Sequence, residues 1–215
     1  MDFELKGKKA IVSAGGSGIG HTVVEEFIKQ GASISTCDID KDYILELRSK
    51  YPQIYAEVVD VGDELAVKEF CIKSIEFLGG LDCLVNNAGV AGPTSPVEEI
   101  DNEDWLHCLN VCLSSQFYFV KSCLQQLRES SSASIINISS AAGKHGFALR
   151  TPYASAKWGV IGLTKSLSIE LGKDKIRVNA ILPGLVAGDR QQNVLRNKAQ
   201  KVGKSFKEVE EEAFS

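Results

Sequence analysis

No apolar run in this 215-residue chain approaches the roughly 20 residues that a membrane-spanning helix needs. The opening stretch, Met1-Asp2-Phe3-Glu4-Leu5-Lys6-Gly7-Lys8-Lys9, lacks the apolar core of a signal segment and leads almost directly into a strand. A basic surplus is missing too: 24 Lys and Arg stand against 28 Asp and Glu, so nothing points to a nucleic-acid or acidic-lipid surface. The six cysteines (37, 71, 83, 108, 112 and 123) show neither Cys-x-x-Cys metal spacing nor a disulfide framework. They read as small buried hydrophobes in a reducing cytoplasm, and no metal site is expected. There is no internal repeat and no linker; Ser130-Ser131-Ser132-Ala133 is a turn before a strand.

What is present is a 44% hydrophobic fraction, enough for one sizeable core, and a regular alternation of short β-branched runs with helix-period segments. Strands are expected at 9–13, 33–37, 54–59, 83–86, 134–138 and 177–182. Helical patterns fall at 19–30, 43–50, 64–77, 100–127 and 154–171. Several strands are almost wholly apolar, the mark of strands covered on both faces. With connections this short, the alternation predicts right-handed crossovers and a parallel sheet, an α/β single domain of the doubly wound, Rossmann type. Near the end, Ser205-Phe206-Lys207-Glu208 has capping-box spacing and opens a last helix.

Two clusters carry chemistry. The first is Ser13-Ala14-Gly15-Gly16-Ser17-Gly18-Ile19-Gly20, between the first strand and the first helix. Glycines there let backbone approach a pyrophosphate, and the helix N-terminus offers N–H groups and a positive dipole end. Its spacing is Gly-x-x-Gly-x-Gly; alone it is a weak sign that a tight strand-to-helix turn would also produce. Asp38, twenty residues beyond Gly18, ends the second strand. A carboxylate there accepts hydrogen bonds from both ribose hydroxyls of NAD and repels the 2′-phosphate of NADP. Neither Ser17 nor Ile39 is basic, so NAD is favoured over NADP. Asp60, after the third strand, is placed for the adenine amino group, or else is an ordinary turn former.

The second cluster is Tyr153 and Lys157, four residues apart, thirteen residues after Ser140. A free phenol is a poor base at neutral pH. One cation about 4 Å away, at an effective dielectric near 20, supplies roughly 4 kcal/mol toward the phenolate. Lys157, one helical turn on, lies on the same face as Tyr153. A phenol, an ammonium and a hydroxyl together move a proton on and off an alcohol oxygen. Each residue alone has a bland reading: Ser140 a strand-end turn, Asn110 a helix-surface or kink residue, Tyr153 a first-turn aromatic beside Pro152.

In this order and spacing the landmarks resemble a classical short-chain dehydrogenase/reductase. They are the glycine turn, Asp60-Val61, Asn86-Asn87-Ala88-Gly89, Asn110, Asn137-Ile138-Ser139-Ser140, Tyr153-x-x-x-Lys157 and Asn179-Ala180-Ile181-Leu182-Pro183-Gly184. The resemblance runs over residues 6–185. It implies a sheet of order 3-2-1-4-5-6, the family's seventh strand and its Asp-Gly-Gly segment being missing here. It implies Tyr153 as general acid/base, Lys157 holding the nicotinamide ribose, Ser140 binding the substrate oxygen and Asn110 holding a proton-relay water. Cofactor contacts would come from Ser13, Gly15, Ser17, Gly18, Ile19, Asp38, Asp60, Val61, Asn87, Ala88, Gly89, Tyr153, Lys157, Pro183, Gly184 and Val186. A small alcohol or ketone substrate and a homo-oligomer, tetramer or dimer, are further implications.

Three departures matter. Ser13 replaces the family's Thr and keeps the hydroxyl. Ala14 replaces its first Gly, which is tolerable if φ is negative there. Gly188 stands where many members have a Thr that bonds the nicotinamide carboxamide. Without a seventh strand, strand 177–182 becomes an exposed edge, so a longer native product or a covering partner chain is expected. A catalytically weak NAD-binding or regulatory subunit is the second function carried, and a methyltransferase on a similar nucleotide fold the third. Residues 185–215 begin the substrate lid; Arg150 or Arg190 could grip an anionic group, a solvated arginine being the plainer reading.

Overall fold

A computed structural model describes residues 3–214, and the side chains of all of these except residues 189 and 214. Six parallel strands form one sheet in the order β3-β2-β1-β4-β5-β6, as expected. The strands are β1 Lys9–Ser13, β2 Ser33–Asp38, β3 Tyr55–Val58, β4 Cys83–Asn86, β5 Ser134–Ile138 and β6 Arg177–Ile181. The helices are α1 Gly18–Lys29, α2 Lys41–Lys50, α3 Glu64–Leu78, α4 Asn102–Leu109, α5 Ser115–Glu129, α6 Thr151–Glu170, α7 Asp189–Val202 and α8 Phe206–Phe214.

Side-chain alternation along β1 shows why the sheet is covered on both faces. Ile11 packs into one apolar cluster with Phe70, Phe119 and Leu127, from α3 and α5. Its neighbours Ala10 and Val12 point the other way, into a second cluster with Val24, Ile44 and Leu47, from α1 and α2. All three β1 residues are fully buried. Phe70 and Phe119 meet edge to face, ring centroids 6.1 Å apart at 76°, and lock α3 onto α5. Truncating either ring to Ala would cost about 3–5 kcal/mol.

Helix ends follow the sequence closely. Asp40 caps α2, its Oδ1 accepting from the Asp42 and Tyr43 amides at 2.8 and 3.3 Å. Asp63 caps α3 in the same way, and Gly79 closes it with φ 64°. The capping box at α8 is reciprocal: the Ser205 amide donates to Glu208 Oε2 at 2.8 Å, and the Glu208 amide to Ser205 Oγ at 3.3 Å.

The long helix expected near 100–127 runs from 102 to 129 and carries a π turn within it. A 3₁₀ turn, Val97–Glu99, precedes α4, and the π-helical turn, Asn110–Ser114, joins α4 to α5. Periodicity does not register an extra residue per turn, so the π turn is invisible in the pattern. Strand β3 is two residues shorter than expected, and helix α7 falls where only a lid region was expected. β6 pairs with β5 alone among the described residues, and Ile181 on it is 51% exposed. Among the described residues no helix is long and apolar enough to cross a membrane, and no cluster of His, Cys, Asp and Glu could hold a metal ion.

Candidate active site

Strand order reverses between β1 and β4, which pair directly, so the loops leaving their C-terminal ends part and leave a crevice. The glycine turn lines one side. Gly18 has φ 55° and is exposed, and α1 starts there with no side-chain cap on Ser17 and no acid in its first turn. A helix N-terminus left open in this way is an anion seat. A methyl group on Gly20 would run into the Ala14 carbonyl and the Asn87 amide, so glycine there lets α1 close on the sheet. Ala14 itself has φ 52°, not the negative value that an alanine prefers. The turn therefore demands the backbone that the family's glycine supplies, and this chain carries it with a Cβ at a cost of about 1 kcal/mol.

Ser13 acts through its hydroxyl, which accepts from the Asn87 and Ala88 amides at 3.0 and 3.1 Å. The Asn87 side-chain amide donates back to the Ser13 and Ala14 carbonyls at 3.1 and 2.9 Å. These bonds stitch the loop after β4 to the glycine turn. Asp38 is 8% exposed; its Oδ2 accepts from the Gly16 amide at 2.9 Å and its Oδ1 from Asp40 at 3.1 Å. A Cβ on Gly16 would sit 2.7 Å from that Oδ2, so the backbone must come this close to the carboxylate. Asp60 is exposed and closes a turn, accepting from the Gly62 amide at 2.8 Å, while Val61 is buried.

On the other side of the crevice, Tyr153 and Lys157 lie one turn apart on α6, with Lys157 Nζ 5.8 Å from the Tyr153 ring centre. Lys157 is only 3% exposed, and its ammonium donates to the Ile138 carbonyl at 2.9 Å. Burial, with Arg190 adding to it, pulls its pKa below the ordinary lysine range. The Ser139 hydroxyl donates to the Lys157 carbonyl at 2.8 Å and holds α6 against the end of β5. Ser140 follows, its Oγ accepting from the Ala142 amide at 3.1 Å. Asn110 opens the π turn; its amide donates to the Gly62 carbonyl at 2.7 Å, and Tyr118 donates to its Oδ1 at 3.3 Å. The Pro183 carbonyl accepts from the Ala141 amide at 2.9 Å, which brings the chain after β6 beside Ser140. Gly184 and Val186 are exposed there, and Gly188, with φ 146°, starts α7.

The model for short chain dehydrogenases matches residues 8–199. The chain belongs to that family. It is 35% identical over 200 residues to a probable galactose dehydrogenase of Rhizobium meliloti, covering 89% of this chain and 76% of that protein. To levodione reductase of Leifsonia aquatica it is 30% identical over 193 residues, 86% of this chain and 72% of that one. The NAD+-bound crystal structure of a xylitol dehydrogenase superposes with a TM-score of 0.90 at 26% identity, over 98% of this chain and 84% of that one. This short-chain dehydrogenase is thus an oxidoreductase acting on alcohol or ketone substrates with a nicotinamide cofactor.

Some neighbours of the site carried no sequence signal. Cys108 and Cys112, fully buried, lie a helical turn apart; the bond from Cys108 makes Cys112 the more acidic thiol, with Lys157 adding to the effect. Cys112 Sγ accepts from the Val90 amide at 3.3 Å. The Ile138 carbonyl and Ser139 hydroxyl, which place Lys157, could have been suspected only from their adjacency to Ser140.

Proposed function

We propose that this chain interconverts a secondary alcohol and a ketone with NAD, using Tyr153 as general acid/base. The observation that carries the reading is the buried Lys157 ammonium, tethered to the Ile138 carbonyl one turn from Tyr153. On this reading the Lys157 side chain stands beside the phenol at the mouth of the crevice and supports its exchange of a proton with the substrate.

A bound nicotinamide would supply the two-electron acceptor for the hydride of the carbinol carbon. The residues of this chain do the rest. The open end of α1, at Ser17, Gly18 and Ile19, receives the pyrophosphate. Asp38 keeps one lone pair on each carboxylate oxygen for the ribose hydroxyls, and no cation stands at Ser17 or Ile39 to welcome a 2′-phosphate. Asn87, Ala88 and Gly89 border the nicotinamide side, with Pro183, Gly184 and Val186 opposite. The Ser140 hydroxyl donates to the substrate oxygen, and Tyr153 takes the proton released there. Lys157 passes charge compensation to Tyr153 and bonds the nicotinamide ribose. A π turn at Asn110 supports the proton-relay role, because it loosens the main-chain ladder where a water would sit.

The same reading includes a homo-oligomer in the cytoplasm. It is supported by large apolar side chains left open on α4–α6, among them Leu106, Phe117, Trp158 and Ile169, and by six free, buried cysteines. The test is turnover of a panel of secondary alcohols with NAD and NADP. Tyr153→Phe, which removes only the hydroxyl, lowers kcat/KM by roughly 10²–10⁴-fold. A variant that still turns over at the wild-type rate refutes the assignment.

A further inference from the structure

We infer that the substrate carries an anionic group, a carboxylate or a phosphate, gripped by Arg150 and Arg190 beside Tyr153. This rests on the oxidoreductase reading above and names the substrate class for it.

The two arginines come from distant elements and converge. Arg150 is the N-cap residue of α6, and Arg190 stands in the first turn of α7. The guanidinium carbon of Arg150 lies 4.8 Å from the Tyr153 ring centre, and that of Arg190 lies 5.8 Å from it. With Lys157 at 5.8 Å, three cations face one phenol. Among the described residues, none of the three forms an ion pair with Asp or Glu.

Their present partners are neutral. Arg150 Nη2 donates to the Ala91 carbonyl at 2.6 Å. Arg190 Nη1 and Nη2 donate to the Gly89 and Val90 carbonyls at 3.1 and 2.8 Å. All three acceptors lie in the loop that leaves β4, at the mouth of the crevice. Arg150 is half-buried, and its Nε is a buried donor with no partner. Burial and the charge of Arg190 both work against its proton.

A half-buried guanidinium with an orphaned N–H, a second guanidinium near the same ring and no carboxylate paired with either among the described side chains make an unfavourable set on their own. An anion between the two forks reverses that, because carboxylate and phosphate oxygens match guanidinium geometry. The placement is also specific. Gly188 adopts φ 146°, a backbone that glycine takes readily, and two residues later Arg190 reaches back over Gly89. A Cβ on Gly89 would sit 3.4 Å from Lys157 Nζ and 4.0 Å from Arg190 Nη2, so bare backbone leaves these cations their room.

The experiment uses the full chain with NAD and three alcohols sharing one carbinol: 2-butanol, 3-hydroxybutanoate and 3-hydroxybutyl phosphate. Binding of the two anions to the protein loaded with NADH is measured in parallel by calorimetry, independently of turnover. One anionic arm is expected to exceed 2-butanol in kcat/KM by roughly 10- to 100-fold, and which one it is separates carboxylate from phosphate. Arg190→Gln, at an exposed position, and Arg150→Gln should each bring that ratio close to one, mainly through KM, and weaken calorimetric binding of the preferred anion. Circular dichroism checks that each variant folds. A wild type that favours 2-butanol, or variants that lower all three arms equally, overturns the inference. If no arm turns over but an anion binds and Arg190→Gln weakens it, the arginine site stands and the alcohol–ketone reading falls.

Discussion

Replacing Lys157 by Met separates catalysis from folding more sharply than any other single change. The ammonium sits 5.8 Å from the Tyr153 ring. An ammonium about 4–6 Å from a developing phenolate oxygen, at an effective dielectric near 20, is worth about 3 kcal/mol, so its loss is expected to cost about two decades in rate. Stability should move far less. Met fills the same space without a buried charge, and the Ile138 carbonyl keeps the Gln116 side-chain amide as a donor at 3.4 Å. The folded protein therefore stays within about 1 kcal/mol of wild type. pH gives a second reading. Burial lowers the folded-state pKa of Lys157 below its ordinary 10.5. In the window between the two values the unfolded chain holds more protons, so the wild type gains stability as pH rises toward 10.5, and Lys157→Met lacks that gain. The assays are kcat/KM for an alcohol with NAD and chemical denaturation at several pH values. A variant that keeps kcat/KM within threefold of wild type refutes the electrostatic role of Lys157.

Asp38→Ser should cut the NAD-over-NADP ratio of kcat/KM by roughly 10- to 100-fold, since the ribose acceptors and the repulsion go together; an unchanged ratio places cofactor choice elsewhere. Ala14→Gly relieves a φ of 52° and should raise the melting temperature by about 2–4 °C, read by calorimetry; an unchanged or lower value refutes the strain. Glu25, bonded by Lys50 and Tyr51, is held down at a pKa of about 2 from 4.5. Its contribution, present above 4.5, is lost as pH falls toward 2. On this solvent-exposed pair it amounts to no more than about 1 kcal/mol, so Glu25→Gln should destabilise slightly at pH 6 and not at all near pH 2.

The strand runs were legible because a parallel strand buried on both faces leaves a continuous apolar segment; β1 and β4 stand where the residues put them. The cap at Ser205 was legible for a similar local reason, its capping-box spacing being a local signal. The π turn at Asn110 was not, since one added residue barely shifts a helical pattern. Nor was the strain at Ala14: the residue type argued for negative φ, while the turn built by its neighbours imposed the opposite. In the site, Tyr153 and Lys157 were readable from their spacing on one helix. Arg150 and Arg190 were visible only as loose cations, because their meeting over Tyr153 depends on how α7 returns across the loop after β4. Long-range convergence of that kind leaves no periodic trace.

The most direct test of the central claim follows a single deuterium. The wild-type protein, NAD and an accepted secondary alcohol deuterated at the carbinol carbon are mixed in one turnover, and the reduced cofactor is weighed by mass spectrometry. The account predicts one deuterium in the reduced cofactor for each ketone formed, and none with Tyr153→Phe although that variant still binds NAD. Ketone formed without label in the cofactor, or equal transfer by Tyr153→Phe, would contradict it.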